Sequence, residues 1–120
     1  MEIVNKNRVK PFITKDGSDI REILAPGNSS LKNQSLAEAS VSPGKATIQH
    51  YHIESEEIYY ILQGKAKIRV GDEVREVSEG DGIAILPRQR HKIWNIGTED
   101  LVFLCCCSPS YRDEDTVLSK

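Results

Sequence analysis

The stretch Lys65-Ala66-Lys67-Ile68-Arg69-Val70 sets three basic residues against three apolar ones in strict alternation. An extended strand, whose successive side chains point to opposite faces, turns that pattern into one wet and one packed side. Gly71-Asp72 then reverses the chain, and further short alternating segments separated by turn residues run from Ser35 to Cys107. Strands are expected over residues 35–41, 46–52, 57–62, 65–70, 73–77, 82–86, 92–95 and 101–107. No window carries a convincing helical period. So many strands cannot lie flat with open edges; folding them into two packed sheets, as a jelly roll does, buries their apolar faces together.

The 120-residue chain fits one domain. Residues 1–34 read as an N-terminal arm of that domain: an extended run from Arg8 to Thr14, a turn at Asp16-Gly17, a second run from Ile20 to Leu24, then the loop residues Pro26-Gly27-Asn28-Ser29-Ser30. The barrel proper takes residues 35–108, and 109–120 form a polar C-terminal tail, exposed or packed on a partner subunit.

Apolar residues make up 38% and charged residues 28% of the chain, as in ordinary globular proteins. The net charge of −2, with both signs interspersed, offers no broad electropositive face, so nucleic acid is not an expected partner. No apolar stretch reaches the roughly 20 residues of a membrane helix, and residues 1–10 lack a signal-peptide core, so no membrane association and a cytoplasmic location are expected. The three cysteines are consecutive, Cys105-Cys106-Cys107, an arrangement suited to reduced thiols rather than long-range cross-links. On a core strand two would point one way and one the other, as small buried hydrophobes.

His50 and His52, two apart on one strand, share a face and stand about 7 Å apart at the backbone. Two imidazoles so placed can meet one ion. Glu57 starts the next strand, and a hairpin return would bring its carboxylate alongside. His91 is the remaining histidine and the candidate fourth ligand, from a distant strand on the opposite side of the ion. An isolated pair of this kind is more often a solvated strand face or a pair satisfied by backbone carbonyls.

The spacing decides between these readings. Gly44, His50, His52, Glu57 and Gly64 fit G(X)5HXH(X)4E(X)6G without departure, and Gly80, His91 and Asn95 keep the spacing of G(X)5PXG(X)2H(X)3N. The chain therefore resembles the cupin superfamily over residues 35–108, in particular the small stand-alone cupins labelled as resembling mannose-6-phosphate isomerase. The resemblance implies a double-stranded β-helix, or jelly-roll, barrel holding one divalent transition ion, iron, manganese, nickel or zinc, through His50, His52, Glu57 and His91. Leu86 and Arg88 replace the second motif's proline and second glycine. At Arg88 the turn is expected to demand a backbone angle that arginine adopts only with strain. The unaltered count from Gly80 to His91 keeps His91 within reach.

Alternation from Glu57 puts Tyr59 and Ile61 inside and Ile58, Tyr60 and Leu62 outside. Tyr59 is then equally a pocket wall or an aromatic core residue, and the outward trio suits a homodimer contact. Ala46 and Ile48 would floor the histidines, while Glu38 and Arg21 are surface residues unless the pocket uses one of them. Three function classes remain open: a metal-dependent, dioxygenase-like enzyme on a small organic substrate, a non-catalytic ligand-binding or sensory module, and a sugar-phosphate isomerase or epimerase, which would need a basic phosphate clamp.

Overall fold

Period-two alternation pairs strand with strand through nearly the whole chain, and the structure, a computed structural model describing residues 1–119, is all-β. The strands are β1 (Phe12–Ile13), β2 (Asp19–Leu24), β3 (Ser35–Val41), β4 (His50–His52), β5 (Glu56–Gln63), β6 (Lys65–Val70), β7 (Glu73–Ser78), β8 (Gly82–Ile85), β9 (His91–Asn95), β10 (Leu101–Ser108) and β11 (Thr116–Leu118). They form a six-stranded sheet, β1-β2-β3-β10-β5-β8, and a five-stranded sheet, β11-β4-β9-β6-β7, with antiparallel pairing throughout. This is the double-stranded β-helix that the alternation and the two motifs lead one to expect.

Between the sheets the inward residues interdigitate. Ile61, Ile85, Ile93, Leu101 and Phe103 are all but inaccessible, and each such side chain stabilises the fold by about 1.5–3 kcal/mol. On β6, Ala66 and Ile68 are buried while Lys65 and Arg69 are exposed, as the alternation requires. Lys67 and Lys92 lie over the ring of Trp94, so the outer face of this sheet is basic and aromatic. The inward side chains of β10 run Leu101, Phe103, Cys105, Cys107, from the apolar core towards a polar end of the barrel.

Three elements depart from the expectations. The strand predicted over 46–52 is cut to His50–His52, with Ala46 in an isolated bridge to Trp94. Thr47 is buried and Ile48 is exposed, so the inward parity slips before His50, and Ile48 is no floor to the site. The cause is local: the Ile48 amide donates to the Asp16 carbonyl at 2.7 Å and the Ile48 carbonyl accepts from His50 Nδ1, which turns that residue out of the ladder.

The arm is not peripheral, since β2 pairs with β3 and extends the six-stranded sheet. The tail is not loose either. It turns through residues 113–115 and adds β11 to β4, with Thr116 buried opposite His52. The Asp115 carboxylate accepts from the Glu54 and Ser55 amides, so the tail also fixes the crossing from β4 to β5.

Candidate metal centre

At the polar end, the five-stranded sheet aims three imidazoles inward. His50 and His52 come from β4 and His91 from β9; His50 and His91 are direct cross-strand partners with ring centroids 4.2 Å apart. One ring nitrogen from each of the three lies within 4.8 Å of the others. Glu57 comes from the opposite sheet, its Oε1 3.2 Å from His52 Nε2 and 3.5 Å from His91 Nε2. The expected roles are exchanged here. β4 and β5 form no hairpin, because residues 53–55 carry the chain across from one sheet to the other, and Glu57 rather than His91 faces the histidine pair.

The hydrogen bonds fix which nitrogen each ring presents. His50 Nδ1 donates to the Ile48 carbonyl at 2.7 Å and His91 Nδ1 to the Gln89 carbonyl at 2.9 Å. His52 Nδ1 meets Thr116 Oγ1 at 3.2 Å; that hydroxyl gives its proton to the Arg112 carbonyl and therefore accepts from the ring. With Nδ1 committed in each ring, the three Nε2 atoms are turned towards one space, that of His52 within hydrogen-bonding distance of Glu57 Oε1. His91 Nε2 is fully buried and has no hydrogen-bond partner. A buried polar atom without a partner costs about 1–3 kcal/mol, and a cation shared with the neighbouring rings and Glu57 would satisfy it. Neutral imidazole nitrogens and a carboxylate oxygen form a donor set suited to a divalent transition ion.

Electrostatics favour the neutral ring at His50 and the charged ring at His52. Burial and the neighbouring His91 hold His50 below its ordinary value, keeping it neutral. Burial opposes charge on His52, but its bond to Glu57 and the charge of that carboxylate outweigh it and raise the ring. Glu57 is itself penalised by burial, yet the neighbouring His52 and His91 rings hold it well below the usual carboxylate range. Its second oxygen, Oε2, accepts from the Cys107 thiol at 3.2 Å. Burial keeps Cys107 and Cys105 protonated, so Cys107 acts as a donor that aims the carboxylate.

Against His50, His52 and Glu57 lies a cavity of about 30 Å³, room for about two water-sized groups. Tyr59 lines it, edge-on to His91 at 5.9 Å and packed on Phe103 at 4.6 Å, so it is both wall and core. Tyr111, from the tail, stands edge-on to His52 at 6.2 Å near the opening. Over the same end Lys15 Nζ donates to the Asp113 and Thr116 carbonyls at 2.9 and 3.0 Å, clasping the 14–18 turn to the tail. Glu38 and Arg21 stay out of the cavity; Glu38 is buried on the outer side in an ion pair with Lys6 at 2.8 Å.

Sequence reasoning missed Asp16 and Glu22, two carboxylates that the arm contributes to the lining. The Asp16-Gly17 turn was visible, but not its position over the barrel mouth. Arg88 does adopt the left-handed backbone, with φ +67°, that the motif glycine would take without strain. Its amide donates to the His52 carbonyl at 2.7 Å, and the turn still delivers His91.

The Cupin domain family model matches residues 37–107, which hold both the barrel and the four candidate ligands. An uncharacterized protein of Methanocaldococcus jannaschii is 51% identical over 110 residues, covering 92% of this chain and 88% of its own. Among solved structures, the oxalate decarboxylase of Lactobacillus farciminis, in a formate complex, superposes with a TM-score of 0.80 at 28% identity over 93% of this chain and 34% of that one. Streptomyces PAC13, solved with uridine, has a TM-score of 0.82 at 15% identity, over 100% of this chain and 91% of that one, a likeness of fold.

Proposed function

The chain belongs to the cupin family, and from that premise we propose that it is a metal-dependent enzyme acting on a small organic substrate. His50, His52, Glu57 and His91 would hold the ion, iron, manganese, nickel or zinc. The observation that carries this reading is the set of three histidines whose Nδ1 atoms are all spent on fixed acceptors, leaving three Nε2 atoms turned inward, one of them, His91 Nε2, without a partner. Bound there, the ion would supply Lewis acidity or redox chemistry to a substrate oxygen. The protein's own residues do the rest: Thr116, Ile48 and Gln89 lock the rings, Cys107 aims Glu57, and Tyr59 and Phe103 keep the cavity wall dry.

The lining includes Asp16, Glu22 and Glu57 and, among the described residues, no lysine or arginine. Burial raises Glu22 above its ordinary value. Such a lining favours a substrate without a phosphate group over a sugar phosphate. The oxalate decarboxylase likeness supports a ligand of a few heavy atoms, in keeping with the small cavity. The same reading makes the protein a cytoplasmic homodimer, supported by three free thiols and by the exposed trio Ile58, Tyr60 and Leu62.

The deciding measurement is elemental analysis of carefully purified protein beside a His50→Ala, His52→Ala double variant. One ion per wild-type chain and none in the variant is expected; equal metal content in both defeats the assignment. Anaerobic reconstitution followed by oxygen-uptake assays against a panel of small acids, phenols and diketones then separates oxygenase from non-oxidative chemistry.

A further inference from the structure

Asp16 sits at the apex of the turn between β1 and β2, where Gly17 takes φ +88°. One of its oxygens is fully used by that turn: Oδ1 accepts from Thr14 Oγ1 at 2.6 Å, from the Ser18 amide at 2.9 Å and from Ser18 Oγ at 2.6 Å. Its backbone carbonyl accepts from the Ile48 amide. A structural role explains all four contacts and could be filled by asparagine or serine. It does not explain Oδ2, which lies 3.4 Å from His50 Nε2 inside the cavity.

His50 Nε2 carries a lone pair, because Nδ1 holds the proton given to the Ile48 carbonyl. Two buried acceptors facing each other at that distance repel unless a cation lies near both. The spacing repeats the one Glu57 makes with its histidines, 3.2 and 3.5 Å. Donor atoms that share one ion at roughly 2.1 Å stand about 3.0–3.4 Å apart when adjacent. Charge points the same way. Three neutral imidazoles and one carboxylate leave a divalent ion with a net positive charge in a buried site, and a second carboxylate cancels it.

We propose that Asp16 is a fifth protein donor of the metal centre, binding the ion through Oδ2 and making the loaded site electroneutral. The proposal rests on the reading that His50, His52, Glu57 and His91 hold the ion. It gives the arm a function: the β1–β2 turn carries a ligand into a barrel that would otherwise present only four.

The test loads metal-free protein with Co²⁺ and reads both the dissociation constant, by competition with a chromophoric chelator, and the visible band, which intensifies as coordination number falls. The wild-type band is expected to be the weak band of a five- or six-coordinate ion; a strong four-coordinate band overturns the proposal without any variant. Asp16→Asn and Asp16→Ser, which keep acceptors for the turn, should each weaken Co²⁺ binding at least about tenfold and alter the band. Thermal unfolding of the metal-free variants checks that they fold. Weaker binding with an unaltered band would mean that Asp16 only steadies the turn, and unaltered affinity would remove it from the site; either sinks the proposal. If the wild-type chain takes up no Co²⁺, the four-residue reading fails instead, a separate result.

Discussion

At the scale of the residue, Arg88 is the plainest cost in the chain. A side chain in the left-handed region costs about 1–2 kcal/mol relative to one in an ordinary conformation, and Arg88 is exposed there with φ +67°. Glycine would remove the strain and lose part of the gain to greater freedom in the unfolded chain. Arg88→Gly is therefore expected to stabilise the protein by about 0.5–1 kcal/mol, seen as a higher urea midpoint at constant slope. A midpoint that falls would show that the arginine side chain contributes something unrecognised. The motif's asparagine also has a residue-level explanation: Asn95 Nδ2 donates to the Val41 and Glu99 carbonyls and its Oδ1 accepts from the Gly97 amide, so it staples the loop after β9. Gly64 is equally constrained, since its φ is +98° and a Cβ would press on the Asp100 carbonyl and the Leu101 Cα at 3.3 Å.

At the scale of the element, β11 matters more than its three residues suggest. It gives β4 a partner and places Thr116 as the acceptor for His52 Nδ1. Thr116→Val keeps the shape and deletes that acceptor, leaving a buried N–H unpaired at a cost of about 1–3 kcal/mol. Metal affinity is expected to drop some 10–100-fold, with Thr116→Ser close to wild type; calorimetric titration of the metal-free proteins checks it, and an unaffected valine variant would contradict the tautomer assignment. The strands with clean alternation were legible in the chain itself: 35–41 and 65–70 match the observed β3 and β6, and 101–107 falls one residue short of β10. β11 was not, because Thr116-Val117-Leu118 follows a polar stretch and is too short to show a period. The four candidate ligands were readable from spacing, whereas Asp16 was not. A lone Asp-Gly reads as a turn wherever it occurs, and only the pairing of β2 with β3 carries it to the barrel mouth.

At the scale of the molecule, the outward face of the six-stranded sheet carries an unpartnered apolar stripe. Ile58, Tyr60 and Leu62 are 53%, 44% and 42% exposed along one strand. A self-complementary contact over them would be a two-fold dimer. Sedimentation of the wild type is expected at twice the 13.5 kDa chain mass, and Ile58→Glu with Leu62→Glu should yield a folded monomer; a wild-type monomer at micromolar concentration would end that expectation. The Lys15 clasp has a different consequence. It ties the 14–18 turn to residues 113–116 at the polar end of the barrel, so the two segments move apart only when this contact opens. An ion held there would exchange at a rate set in part by the opening of this contact.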